Sequence, residues 1–465
     1  LSILLPIATG FYTSEILTLA AQTCSNWIPI MPQGGALNER ALLDRPGLTK
    51  FATLSGPHRG AIDFNGVYIT LNGTTLSSVA SDGTETTLGT VTGSGPVSMA
   101  KNDDFVVIVT NLGDGFYYNG STVTQITDTD YTDIKAKTVC FVDGYFVFSR
   151  FDGTQFFLSG INDPSSFDAL DRSSAEERPD PIVACFVYNN LLHVAGTETT
   201  EKYNNRGGVN FPFQRINQAS SSVGCYSRFT PIEFNNTYCW IGAGKNEGAQ
   251  IQMLSGGQPQ VISTPAIDTE LQKFEDGELD QAISMVWQQN GQSIIAFTIA
   301  SDRITDRTFC FNSTSGEWFE LKSGTSAFRG RSVVRIYNKL LVGDDSDQVG
   351  YFDSSARTDY GNAIFREKAS QPFLSQTAAE FRIGKIEAWF EAGTGSASVS
   401  PQLMMDFSDD LGKTWQTETW RGIGEQGQYG VRAKWRKQGL VTRNRVYRFK
   451  ASDPYLFNFM KLTAN

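Results

Sequence analysis

TVCFVDGYFVFS, residues 138–149, decides how this chain reads. Two apolar runs flank Asp143-Gly144. An Asp-Gly pair supplies the positive φ angles that a two-residue hairpin turn needs. The same phrase recurs on both sides. Before it stand AIDFNGVYITL (61–71) and SMAKNDDFVVIVT (98–110). After it come VACFVYNNLLHVAG (183–196), TPIEFNNTYCWIG (230–242), SMVWQQNGQSIIAFTI (284–299) and VVRIYNKLLVGD (333–344). The turns fall at Asn65-Gly66, Asp103-Asp104, Asp143-Gly144, Asn189-Asn190, Asn235-Asn236, Asn290-Gly291 and Tyr337-Asn338, about 38 to 55 residues apart. Further turn signals lie between them, at Asn72-Gly73, Asp82-Gly83, Asn119-Gly120, Asp152-Gly153 and Ser315-Gly316. Four short strands per repeat fit this spacing. A hairpin repeated with that period predicts an all-β chain containing a β-propeller of about seven blades.

Composition agrees. Gly, Ser, Thr and Phe are frequent, and long runs of helix-forming residues are missing. DTELQKFEDGELDQAISM (268–285) is the best helix candidate, interrupted by Gly277. The chain has 465 residues and a formal charge of −10. Its length suits a large propeller plus a smaller β-domain. Its charge argues against a free-standing DNA binder, though not against a conduit that DNA passes without sticking.

The pattern divides the chain in three. Residues 1–54 are non-repetitive, with prolines between apolar runs, and read as an extended arm. Residues 55–365 carry the repeats. Residues 366–465 hold longer alternating strands without the repeat and read as a C-terminal β-sandwich. SSAEERPDPIV (173–183) reads as a loop between blades. LSILLPIATGFY at the start has neither a basic flank nor the length to span a bilayer, and is expected to pack as a strand or arm.

Chemistry-bearing constellations are sparse. The six cysteines form no C-x-x-C, and all but Cys24 lie in or beside apolar runs, so they read as reduced core residues. The two histidines, His58 and His193, are far apart, which leaves no basis for a His metal site or a Ser-His-Asp triad. No cofactor motif is present. SDDLGKTW (408–415) matches the Asp-box pattern, with Ser408, Asp410, Gly412, Thr414 and Trp415 in place. Its physical content is a tight turn: Asp410 accepts turn N–H bonds, Gly412 takes a positive φ, and Trp415 packs beneath. Asp boxes also occur in glycosidase propellers, so a carbohydrate-active propeller, sialidase-like or glycan-binding, is the alternative function. That enzyme would need paired carboxylates or an Arg cluster on the propeller axis.

Charge is concentrated in one place. Residues 432–450 contain Arg432, Lys434, Arg436, Lys437, Arg443, Arg445, Arg448 and Lys450 and no acid. Such a face suits an acidic neighbouring subunit or DNA in a channel. The competing reading is a solvated strand face, with Arg443, Arg445 and Arg448 outward and Val446 and Phe449 inward.

Several phrases, taken in order, resemble the tail hub or nozzle family of short-tailed bacteriophages, also called packaged-DNA stabilisation proteins. They are NWIPIMPQ (26–33), RPGLTKF (45–51), GSGPVSMA (93–100), LLHVAGTETTEKYNNRGGVNFPFQRI (191–216), GGQPQVISTPAID (256–268), RTFCFNSTSGEWFEL (307–321) and KWRKQGL with RNRVYRFKASDP (434–454). Two positions depart from the family pattern: Gln292, often His, and Phe309-Cys310-Phe311-Asn312, where an aromatic usually precedes aspartate. The resemblance implies a structural, non-enzymatic virion protein without cofactors. It implies self-association in a ring, a hexamer, below the portal and its adaptor. Needle, fibre or tailspike proteins would attach to that ring, and double-stranded DNA would pass through it without sequence specificity. Assembly would take place in the bacterial host cytoplasm.

Overall fold

The computed structural model describes residues 3–14, 16–17, 20–32, 40–175, 178, 180–208, 211–217, 219–374, 380–394 and 400–465. Gln33 of the first family phrase, Val209 and Asn210 of the fourth, and Glu176, Glu177 and Pro179 of the polar loop lie outside them.

Six antiparallel four-stranded arrays follow one another in chain order. The first is His58–Phe64, Val67–Asn72, Thr75–Val79 and Glu85–Thr90. The innermost strands of the next five are Ser98–Lys101, Ala136–Val142, Ile182–Tyr188, Ile232–Phe234 and Ile283–Gln289. A seventh array starts at Gly330–Ile336 and takes its outermost strand, Gly47–Thr53, from the front of the chain. That strand runs antiparallel to Gln348–Asp353, with Leu48 opposite Phe352. The ring is thus closed by backbone hydrogen bonds between segments about 300 residues apart.

The turns explain the arrays. Asn65, Asp143, Asn189, Asn190, Asn235, Asn236, Asn290 and Asn338 all have φ between 49° and 58°. Asn and Asp tolerate that region through local side-chain hydrogen bonds. Two turns work differently. At Asp103-Asp104 neither residue has positive φ; the Asn102 side chain instead accepts from the backbone N–H groups of Asp104 and Phe105. Tyr337 has a φ of 54°, unusual for an aromatic. Its hydroxyl donates to Val79 O and accepts from Tyr68 N in the first blade, which holds it there.

Each pair of neighbouring blades buries its own apolar cluster. Phe64, Ile69, Leu71 and Leu76 of the first pack against Val106, Ile108, Phe116 and Tyr118 of the second. Tyr131, Phe148 and Phe157 lie in the cluster between the second and third. Stability is therefore distributed round the ring, each blade sharing its faces with two neighbours.

The predicted helix over 268–285 is two short helices, Pro265–Leu271 and Asp276–Asp280, followed by the strand Ile283–Gln289. Gly277 lies within the second helix and is not the break. Glu275 starts a new helix there, through a reciprocal capping box with Glu278. The strand wins beyond residue 282 because Ile283, Met285 and Trp287 alternate inward.

The β-sandwich packs two sheets. One runs in the order Ala433–Val441, Phe381–Phe390, Phe459–Ala464, Ala41–Asp44, Trp27–Ile30, with Ile3–Leu5 also on Phe459–Ala464. The other contains Cys24–Ser25, Arg366–Ala369, Asn444–Ala451, Gln402–Ser408 and Thr419–Gly422. Its Ser25 pairs with Glu320 of the sixth blade, so this sheet is continuous with the propeller. One core spans both parts, with Trp27, Leu42, Trp435, Phe449 and Phe459 beside Met285, Phe319 and Phe328.

Candidate assembly surfaces, junction and axis

The junction is built by the residues of the NWIP and RPGL phrases. Asn26, with a φ of 58°, is fully buried. Its Nδ2 donates to Phe365 O at 2.6 Å and Lys322 O at 3.1 Å, while its Oδ1 accepts from Arg45 Nε and Lys322 N at 3.0 Å. One amide side chain thereby ties the arm to the link between the sixth and seventh blades and to the segment before the sandwich. Arg45 reaches the same knot, donating to Asp359 Oδ1 at 3.0 Å and Oδ2 at 2.6 Å. Arg366 grips both carboxylate oxygens of Asp44 on the sandwich side. All four charged side chains are nearly or wholly inaccessible to water. Such forked pairs are directional, so they set the angle between the two parts.

The basic stretch splits into four groups. Arg445, 3% exposed, is gripped by Asp409 at 2.6 and 2.8 Å and lies 4.0 Å over the Phe407 ring. The expectation that it points outward is overturned, because it shares a strand face with Tyr447 and Phe449. Val446 and Phe449, both expected inward, lie on opposite faces, and both are buried. Arg448 and Lys450 sit on the other face, both paired with Asp406; Arg448 also covers the Trp415 ring at 3.8 Å. Arg432 and Lys434 lean on Glu387, and Arg432 stacks on Trp389 at 3.5 Å. That leaves Arg436, Lys437 and Arg443 exposed, with no ion pair among the described residues.

The Asp-box turn lies in the sandwich between Gln402–Ser408 and Thr419–Gly422. Asp410 accepts from Ser408 Oγ and Thr414 Oγ1 at 2.6 Å and from Thr414 N at 2.8 Å. These bonds hold its carboxyl down at about 2. Gly412 has a φ of 90°. Gly412→Val is therefore expected to lower stability by about 1–3 kcal/mol, through strain at a position few side chains adopt. Urea unfolding of the two proteins measures it. The hydrogen bonds of Asp410 are internal to the turn, while Asp409 beside it pairs with Arg445.

The ring axis holds a cavity of about 460 Å³ lined by the innermost strands, including Met99, Cys140 and Phe186, together with Tyr238, Arg59, Arg228 and Arg331. No carboxylate is among these lining residues. His58 is buried between Thr70 and Ser332, and His193 lies against Phe186 with neither ring nitrogen partnered. Burial pushes both imidazoles down to about 4. Five cysteines are buried and Cys140 half-buried; all six are free thiols. Among the described residues no cluster of His, Cys, Asp or Glu has metal-site geometry.

A blade ring closed by an N-terminal strand and welded to a β-sandwich is a two-part scaffold. Family comparison places it. Residues 3–357 match the family model described as the β-propeller of bacteriophage P22 Gp10, and residues 368–465 match the one described as its β-sandwich. The chain belongs to the bacteriophage P22 Gp10 family and is a structural protein of the phage tail. A search of curated proteins finds no match. Among solved structures the chain is similar to the computationally designed Ika8 protein, with 13% identity over 65% of this chain and 99% of that one and a TM-score of 0.36. It is also similar to PorZ of Porphyromonas gingivalis, a type-IX secretion component, with 10% identity over 72% of this chain and 44% of that one and a TM-score of 0.38. No helix among the described residues is long and apolar enough to cross a membrane.

Proposed function

We propose that copies of this chain assemble, in the host cytoplasm, into a sixfold nozzle ring below the portal and its adaptor. The ring extends the DNA channel, retains the packaged genome, and carries the needle, fibres or tailspikes. The chain works in three segments: an arm (1–54) that ties the parts together, a propeller (55–365) that forms the wall, and a sandwich (366–465) that presents the docking charges. It catalyses no reaction in this role. The observation that carries the reading is the match to one tail-protein family across both parts of the chain.

Two features support the details. An acidic chain that leaves Arg436, Lys437 and Arg443 unpaired on one domain suits attraction between unlike faces of neighbouring copies, as a head-to-tail ring requires. Exposed Trp420, Tyr429 and Phe365 offer aromatic anchors on or beside the same domain. Replacing Arg436, Lys437 and Arg443 together by Glu is expected to leave unfolding within about 1.5 kcal/mol of the parent, about 0.5 for each surface change. It is expected to abolish rings in negative-stain images and on native gels. Undiminished ring formation by that variant would remove the basic face from the interface. Monomers in the parent, alone and with the adaptor, would remove the ring itself.

A further inference from the structure

Blade geometry gathers cations at one end of the axis. Arg59, Lys137 and Arg331 are each the second residue of an innermost strand, those of the first, third and seventh blades. Arg228 stands just ahead of the innermost strand of the fifth, Ile232–Phe234. Because the blades repeat, the three second-position residues lie at one level of the ring, and Arg59, Arg228 and Arg331 line its axial cavity. Burial lowers the affinity of the Lys137 ammonium for its proton; Asp280 opposes this and Arg228 adds to it.

The arginines differ in how they are satisfied. Arg59 is spent on backbone, donating to the carbonyls of Gly73, Val91, Thr92 and Gly95. Arg331 donates to Phe328 O at 3.2 Å and Asp345 Oδ2 at 3.4 Å. Arg228 lines the cavity with its side chain only 8% exposed, and its NH2 donates to Asp280 Oδ2 at 2.7 Å. Its Nε and NH1 are buried and meet no acceptor among the described residues. Two charged donors withdrawn from water without acceptors are costly, and a small turn of the side chain toward the cavity lets an anion there relieve them. The cavity has room for one.

We propose that this end of the axial cavity is an oxyanion site, built on Arg228 with Arg59 and Arg331 lining the same cavity, that takes phosphate or the phosphoryl end of a small molecule. The bound anion supplies acceptors to Arg228 and screens the repulsion among cations from several blades. It acts as a pin through the middle of the ring, and it is independent of what the outside of the ring contacts.

The test uses the full chain at constant ionic strength. Thermal unfolding and calorimetric titration are followed with sodium phosphate, sodium sulfate, glucose 6-phosphate and sodium chloride. Saturable stabilisation by phosphate and sulfate, absent with chloride, is expected. Tighter binding of glucose 6-phosphate than of phosphate would assign the larger source, and equal or weaker binding the free ion. Arg228→Met is expected to weaken binding about tenfold or more, the worth of charge-assisted hydrogen bonds, while Arg436→Ala on the sandwich keeps the full response. Tungstate located by its anomalous signal in the parent protein supplies a readout free of any folding defect, and is expected beside Arg228 on the axis. A response equal in chloride, one unchanged in Arg228→Met, or tungstate bound only elsewhere overturns the proposal.

Discussion

Arg366→Met lowers the unfolding free energy by about 3–5 kcal/mol, as expected when one partner of a buried ion pair is removed. Arg366 and Asp44 are both wholly inaccessible, so the orphaned carboxylate has no water to turn to. Asp44 keeps one weak backbone donor, Phe457 N at 3.3 Å, which does not replace a guanidinium. Arg366 also lies over the Phe457 ring, so packing is lost with the charge. Replacing both residues, Asp44→Leu with Arg366→Met, is expected to cost less than the single change, because no buried charge is left unpaired. Arg443→Ala, exposed and without an ion pair, is the comparison and should shift stability by about 0.5 kcal/mol or less. Guanidinium unfolding of the four proteins reads all of this. Equal losses for Arg366→Met and Arg443→Ala would show that the junction pair contributes nothing.

Acid is expected to weaken the propeller between about pH 6.5 and pH 4 more than the chain's few histidines would suggest. His58 and His193 are pushed from 6.5 down to about 4 by burial. Below pH 6.5 the unfolded chain binds protons that the folded chain refuses. The stability these rings provide is complete above pH 6.5, falls as the pH drops, and is gone below about 4. Each shift corresponds to about 3 kcal/mol, so together they withdraw about 6 kcal/mol. The groups around His58 are Asn72, Thr70, Ser332, Asp344 and Arg331; Lys202 faces His193. Asp410, held at about 2, does not titrate in this window. His193 has no hydrogen bond to lose and already stacks on Phe186, with ring centres 5.0 Å apart. His193→Phe should therefore fold normally and show about half the pH dependence. Urea unfolding at pH 7.5 and 4.5 decides it. Parallel losses in both proteins would mean that His193 is not a source of the acid sensitivity.

The propeller was legible because its signal is local. Asn-Gly, Asp-Gly and Asn-Asn pairs choose a backbone conformation by themselves, and the apolar runs beside them have no alternative to pairing across the turn. The Asp-box turn is equally local, since Ser408, Asp410 and Thr414 answer one another within seven residues. What escaped reading depends on partners far away in the chain. RPGLTKF was visible as a phrase, yet nothing in it says that its strand completes the seventh array or that Arg45 will find Asp359. Arg445 carries no mark distinguishing it from Arg443. One is buried against Asp409 and the other exposed, and the difference is set by the sheet it belongs to. The arginines on the axis are likewise scattered through the sequence, and only the ring brings them to one cavity.

The strand Gly47–Thr53 has a consequence for how the protein is born. Synthesis delivers this strand early, but its neighbour Gln348–Asp353 leaves the ribosome about 300 residues later. Trp27 waits longer still, since its indole N–H is satisfied by Phe457 O, 430 positions on. Gly47–Thr53 must therefore wait for its sheet neighbour through about 300 residues of synthesis. Closing such long loops is slow. The seventh array therefore closes only after the strands of the other six have been made, so closing the ring comes late in folding. A chain cut short before Gln348–Asp353 leaves an open arc rather than a smaller ring.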